Sequence, residues 1–394
     1  MKLSDIFGQD QTVAAFRRLI EQDTLAGSYL LEGAESVGKT SLARAIAQAA
    51  ACKNPVSHPF DACGDCQSCR LADSASGNPE IILIPPAGEQ TQIWQFWNRE
   101  GHASGILDQT LQYTAVFGRK RFYIIDRAET LTNAAANSLL KVLEEPPPYA
   151  HFILLTTHAG RIIPTILSRC QRYRLLPVGQ ARLVDYLMDR YSCGRETAET
   201  LAVLSEGRTG WAITLAQQGR EPEWITAVVE LTIRAISAKT PEIGLKLADD
   251  FRQIANKSRK SEEKSSRSPD DNGGIAIERN GEDGALSQAG APPDKLARSA
   301  LSAAMNWGAS VMHDLLLLRL QGDDLPIIYR SNRERLIQAA ALRTPQFYRD
   351  SLELLVSAQR MLPSNVNVKL LTDTLFLHLT SGNPQPDAFN YSSY

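Results

Sequence analysis

Along roughly the first 177 positions, short apolar runs alternate with stretches of helical periodicity, the order that a parallel α/β sheet requires. Buried strands are expected at 28–31, 81–84, 121–125 and 151–156. Helices are expected between them, among them the alanine-rich stretch 40–51 and the stretch 133–143. The second follows Thr132, a side chain suited to capping, and must stop before Pro146-Pro147-Pro148. Beyond Pro177 the pattern changes. Positions 179 to about 218 are helical with glycine breaks, and from 222 to about 256 apolar residues recur at three and four. Further amphipathic helices at 296–320, 332–338, 348–361 and 366–380 predict a C-terminal helical bundle.

The segment 257–295 interrupts this pattern. It holds seven basic and eight acidic residues, with only Ile275, Ile277 and Leu286 as large aliphatics. Too little apolar surface is available there to offset the entropy of ordering, so a disordered insert is expected.

Composition narrows the classes. At 394 residues the chain exceeds one ordinary domain, and 43% hydrophobic residues supply material for real cores. A net charge of −2 excludes a strongly basic nucleic-acid binder. The run Arg119-Lys120-Arg121 reads as a solvated strand entrance rather than a phosphate patch. Met1 to Asp5 lacks the apolar stretch of a secretory signal, and no run approaches the ~20 apolar residues that span a bilayer. A cytoplasmic protein without a membrane partner is expected.

The chemistry begins with Gly33-Ala34-Glu35-Ser36-Val37-Gly38-Lys39-Thr40, a GxxxxGKT match set between an apolar strand and a helix. Its glycines let backbone N–H groups turn toward a phosphate, Lys39 reaches the β/γ-phosphates, and Thr40 suits Mg²⁺ ligation. Such a site needs a carboxylate at the end of a second buried strand, and Asp126 supplies it. The next position, where a hydrolysing enzyme often places a water-orienting Glu, is Arg127, and Glu129 would have to reach back from the following loop.

Six cysteines are too few for a disulfide framework, yet Cys52, Cys63, Cys66 and Cys69 fall within eighteen residues. Four thiolates at this spacing suit a closed, structural Zn²⁺ site, with iron–sulfur ligation as the alternative. Cys170 and Cys193 are isolated and read as buried small hydrophobes.

Several features occur in a recognisable order: Phe7-Gly8-Gln9-Asp10, the P-loop, the cysteine module after its helix, Asn78-Pro79-Glu80 and Ile124-Ile125-Asp126. They are followed by the run from Ala134 to Pro147 (AAANSLLKVLEEPP), by Thr156-Thr157 and by Ser168-Arg169-Cys170. Over about 1–218 this pattern resembles bacterial DNA polymerase III clamp-loader subunits of the AAA+ class, and the C-terminal bundle resembles them only loosely. The resemblance implies an AAA+ P-loop α/β domain at 1–177, a small helical lid at 178–221 and an all-α collar at 222–394. It implies nucleotide contacts from Gly33, Gly38, Lys39, Thr40, Ser41, Asp126 and Thr157, with ATP or ADP and Mg²⁺ as ligands. It also implies that Arg169 is a trans arginine finger entering the ATP site of an adjacent subunit.

Two kinds of subunit share these features. In the hydrolysing gamma/tau kind, Glu follows the metal-holding Asp and the lid helix carries an arginine that senses the γ-phosphate. Here Arg127 and Gly210 stand at those positions, and Arg208 lies two residues earlier, roughly 200° around a helix. The pattern therefore resembles delta-prime, a stator completing the ring, with gamma/tau as the alternative and a zinc-containing DNA-repair module as a third reading. The absence of a long tail after Tyr394 is expected of the former rather than of tau. The implied partners are gamma/tau and delta subunits in a hetero-oligomeric ring, the sliding clamp and, through the complex, primed DNA.

Overall fold

The structure, a computed structural model, describes residues 1–394 except 58, 73, 75–76, 88–89, 100–104, 116–119, 219–222, 239, 267–292, 322–326, 330–331, 363–365, 383 and 385–394. The chain forms two compact units. Among the described residues, one comprises those of Met1–Leu183 and Ser205–Ile213, the other those of Val184–Leu204, Thr214–Ser266 and Ala291–Tyr394.

The first unit is built on a five-stranded parallel sheet. Its strands are β1 (Ser28–Glu32), β4 (Ile81–Ile84), β5 (Arg121–Ile125), β6 (Ala150–Thr156) and β7 (Gln171–Arg174), and the short strands β2 (Val56–Ser57) and β3 (Phe60–Asp61) form a separate hairpin. The sheet order is β4-β5-β6-β1-β7, so the strand that feeds the P-loop lies between β6 and β7. Ser28 pairs with Phe152 through to Glu32 with Thr156, and Ile81 to Ile84 pair with Phe122 to Ile125.

Successive strand residues face opposite sides, so each strand feeds two cores. Leu30, Tyr123, Ile125, Phe152 and Leu154 pack on one side with Leu139 and Ile166, while Tyr29, Leu31, Phe122, Ile124, Ile153 and Leu155 pack on the other with Leu42 and Ile46. Both faces being covered explains why these strands are continuous apolar runs rather than alternating ones. β7 escapes that pattern. Its sequence Gln-Arg-Tyr-Arg is largely exposed, and it joins β1 as an edge strand through backbone pairing, with Tyr173 packed on Phe16 and Arg172 paired with Glu32.

The helix Asn133–Glu144 starts on Thr132, whose hydroxyl accepts from the Ala135 N–H at 3.2 Å, and it ends ahead of the prolines. Cys170 is buried in the first core, where burial pushes its thiol up to about 12, so it packs as an apolar group.

The second unit is helical. Glu223–Ser237, Pro241–Ser266, Pro293–Gln321, Arg333–Ala340, Pro345–Met361 and Val368–Ser381 match the expected helices, although Pro241–Ser266 runs ten residues into the segment read as an unstructured insert. Six of the ten residues 257–266 are Lys, Arg or Glu, good helix formers, and extending an existing helix avoids the cost of nucleation. Residues 267–292 of that segment, and Arg119, lie outside the described residues. Phe251 packs on Phe376 with ring centroids 5.2 Å apart, and buried Asp314 accepts from the Ile328 and Tyr329 N–H groups. Among the described residues no helix is long and apolar enough to cross a membrane.

Candidate functional site: a P-loop pocket and a cysteine cluster

The loop between β1 and the helix Lys39–Ala51 is fixed by short-range constraints. The Gly33 N–H donates to Thr156 O at 3.1 Å, and a Cβ at Gly33 would lie 2.8 Å from the Leu175 carbonyl, so a close backbone approach excludes any side chain there. Gly38 has φ of 104° with open space around it, so conformation rather than room demands glycine at the helix entrance. Ser36 also takes a left-handed conformation, φ 58°. Lys39 folds back over the loop, its Nζ donating to the Gly33 and Ala34 carbonyls at 2.8 Å each. Burial lowers the Lys39 pKa, while the charges of Glu35, Asp126 and Glu129 oppose that shift. Thr40 and Ser41 stand half-buried in the first turn of the helix.

Asp126 ends β5 inside the electrostatic reach of Lys39. Burial raises its pKa against the pull of Arg127 and Lys39, and its Oδ1 accepts from the Arg127 N–H at 2.9 Å. Arg127 is exposed in a left-handed conformation, φ 46°, and the chain turns at once into the 3-10 turn Ala128–Thr130.

That turn brings Glu129 back to the site. Thr157 donates to Glu129 Oε1 through its hydroxyl at 2.7 Å and its N–H at 3.3 Å. Burial would raise the Glu129 carboxyl, but hydrogen bonds from Thr157 and Thr156 outweigh it and hold the carboxyl below its usual value. Its Oε2 is buried with no hydrogen-bond partner among the described residues. The spacing from Asp126 gave Glu129 a weak claim; the 3-10 turn supplies the reach.

Residues 205–213 approach the same loop. The Gly210 N–H donates to the Ser36 carbonyl at 2.7 Å, and a Cβ on Gly210 would lie 2.8 Å from that oxygen. Gly207, with φ 75°, accepts from the Val178 N–H at 2.8 Å, and Gly8 packs so closely that its Cβ would collide with Val178 at 2.1 Å. Gln9 Nε2 donates to Leu176 O at 2.8 Å. This backbone cradle was not legible from the sequence beyond the presence of the glycines.

The structure brings Gly33, Gly38, Lys39, Thr40, Ser41, Asp126 and Thr157 to the C-terminal end of the sheet. Arg169 is engaged elsewhere. It follows the one-turn helix Pro164–Leu167, and its guanidinium is held by Glu144 and by the Thr165 carbonyl.

The four cysteines converge as a second site. Their sulfur atoms all lie within 4.8 Å of one another, with separations of 3.5 Å for Cys52–Cys63, 3.7 Å for Cys52–Cys69, 3.8 Å for Cys52–Cys66 and 3.9 Å for Cys63–Cys69. A tetrahedral ion with metal–sulfur bonds of about 2.3 Å requires sulfur separations of about 3.8 Å, so the donor set fits one metal ion. The Cys63 N–H points at Cys52 Sγ, and the Asp65 and Cys66 N–H groups point at Cys63 Sγ, contacts that favour thiolates. Burial raises Cys52 and Cys69, whereas at Cys66 the effect of burial is outweighed by backbone donors from Cys69 and Lys53, bringing it to about 6. Asp61 ties the module to the N-terminus by accepting from the Leu3 and Ser4 N–H groups at 2.9 and 2.8 Å.

A GKT loop leaving a central strand of a 2-3-4-1-5-type parallel sheet, faced by a strand-ending Asp and a polar Thr, defines the first unit as an AAA+ P-loop α/β domain. Residues 8–179 match the family described as "DNA polymerase III, delta subunit". The chain is similar to proteins of two kinds. Tau/gamma of Haemophilus influenzae is 33% identical over 184 residues, 47% of this chain and 25% of that protein. Delta-prime of Bacillus subtilis is 32% identical over 171 residues, 43% of this chain and 48% of that protein. The chain thus matches between a quarter and about half of the length of these relatives. A gamma-subunit-related protein from Thermotoga maritima aligns with 93% of this chain and 98% of its own, at 18% identity and a TM-score of 0.41.

Proposed function

We propose that this chain is a delta-prime-like stator subunit of a clamp loader, working in the cytoplasm within a ring of gamma/tau and delta subunits that uses ATP to load a sliding clamp on primed DNA. In this reading 1–177 is the nucleotide-binding domain, 178–221 a lid and 222–394 a collar, and Arg169 acts on ATP bound by a neighbouring subunit. The observation that carries it is the pair of departures at the pocket. Arg127 lies exposed at the position after Asp126, and Gly210 meets Ser36 so closely that an arginine has no room there. Lys39, Thr40 and Ser41 would hold the phosphates of ATP or ADP, and Asp126 would hold the shell of Mg²⁺, without turnover by this chain. The cysteine cluster would hold one structural Zn²⁺.

Steady-state ATPase measured on the chain alone and in a ring with its partners tests this. The isolated chain is expected to bind nucleotide and turn it over at background rate. Appreciable turnover that disappears in Lys39→Ala would sink the stator reading. One observation favours the second reading, a gamma/tau-like hydrolysing motor: Glu129 reaches back toward the pocket, with one carboxylate oxygen unpartnered among the described residues. Glu129→Gln separates the two, because only a hydrolysing chain would lose turnover with it.

A further inference from the structure

The Arg169 side chain is committed to a carboxylate within this chain, and the manner of that commitment is informative. Nε and Nη2 both donate to Glu144 Oε2, at 2.9 and 2.6 Å, and Nη1 donates to Thr165 O at 3.1 Å. A guanidinium carries five N–H groups, so three are used and one remains on each terminal nitrogen, enough to fork onto a further anionic oxygen. The side chain is 29% exposed, so part of it can be reached from outside.

Glu144 is the less expected partner. It is the last residue of the helix Asn133–Glu144. A carboxylate there faces the negative end of the helix dipole, where acidic side chains are disfavoured, so helix stability does not account for it. The contact with Arg169 does. The same helix begins just after the Asp126–Thr130 turn of the nucleotide pocket, so Glu144 ties Arg169 to the element that leads out of this chain's own site.

We infer that Glu144 is a positioning residue that fixes the Arg169 guanidinium for use on an anionic phosphoryl group of a neighbouring chain, an inference that rests on the trans-finger reading above. An arginine on a long free stem samples many rotamers, and misplacement by about 1 Å can cost on the order of 100-fold in rate. A forked carboxylate contact on one edge removes that freedom and leaves the other edge available.

The test uses the reconstituted ring with clamp and primed DNA. Arg169→Ala is expected to lower ATP turnover by tenfold or more, roughly in the direction known for arginine fingers. Glu144→Gln is expected to lower kcat by about three- to tenfold with the KM for ATP shifted less than about twofold, Glu144→Asp to recover part of the rate, and Glu144→Gln with Arg169→Ala to be no slower than Arg169→Ala alone. In the isolated chain, phenylglyoxal modification of Arg169, mapped by mass spectrometry, should rise several-fold in Glu144→Gln while that of Arg172 stays constant. If Arg169→Ala slows the ring but Glu144→Gln leaves kcat unchanged or raised, the positioning role is overturned and the finger stands. If Arg169→Ala has no effect, both fall.

Discussion

The backbone N–H of Gly210 donates to the carbonyl of Ser36 at 2.7 Å, which joins the segment 205–213 directly to the phosphate-binding loop. The contact is main chain to main chain, and a Cβ at Gly210 would sit 2.8 Å from the accepting oxygen. Inserting the arginine that a hydrolysing subunit carries should therefore displace the loop rather than create a sensor. Overpacking of this kind costs about 1–3 kcal/mol, so Gly210→Arg is expected to weaken nucleotide binding by about five- to 150-fold. Titration with a fluorescent ADP analogue measures it, and unchanged affinity or newly acquired ATPase would contradict the proposal.

Metal content follows from the sulfur geometry. One equivalent of zinc is expected per chain, and Cys69→Ser, which removes a fully buried thiol, should reduce it to a small fraction. Because metal binding is coupled to folding, the same change should lower the melting temperature and expose the N-terminal segment that Asp61 anchors. Elemental analysis with a limited-proteolysis time course reads both effects. Iron, or no metal at all, would reject the zinc assignment.

Arg121 and Glu80 form a buried ion pair at 3.2 Å, with side chains 6% and 0% exposed. Arg121 also donates to the carbonyls of Tyr113 and Thr110. Removing one partner leaves the other charge buried, so Glu80→Ala should cost about 3–5 kcal/mol. Urea denaturation checks this, and a loss below about 1 kcal/mol would show that the pair is dispensable.

His151 is buried on β6 and stacks on Phe122 with ring centroids 5.1 Å apart. Its Nδ1 lies 2.8 Å from Ala26 O, a carbonyl that can only accept, so the neutral ring carries its proton on Nδ1. Nε2 is buried with no partner among the described residues. Burial lowers the folded-state pKa below 6.5. The unfolded chain then binds more protons than the folded one as the solution is acidified, so stability is present above the unfolded value and falls as pH drops through about 6.5. Melting temperatures at pH 7.5 and 5.5 should differ more for the wild type than for His151→Gln. An equal drop in both would assign the acid sensitivity to other groups.

The apolar runs of β1, β4, β5 and β6 were legible because each packs on both faces, with one face of β4 only partly buried, and packing of that kind leaves no polar alternation in the sequence. β7 was not, since three of its four residues are exposed and polar, and only Tyr173 packs on the core, so main-chain pairing with β1 leaves no apolar run to read. Glu129 was legible only as a distance along the chain. Whether it reaches the pocket depends on the 3-10 turn at Ala128–Thr130 and on Thr157 from another strand.

Sequence by itself determined the P-loop, the strand-ending Asp126 and the four cysteines, because each is a local choice of residue type at fixed spacing. Tertiary structure decided the contacts between distant segments: Gly210 on Ser36, Thr157 on Glu129, and Arg169 on Glu144. These pair residues 174, 28 and 25 positions apart, and no local pattern encodes which carbonyl or carboxylate a long-range fold will bring within hydrogen-bonding distance.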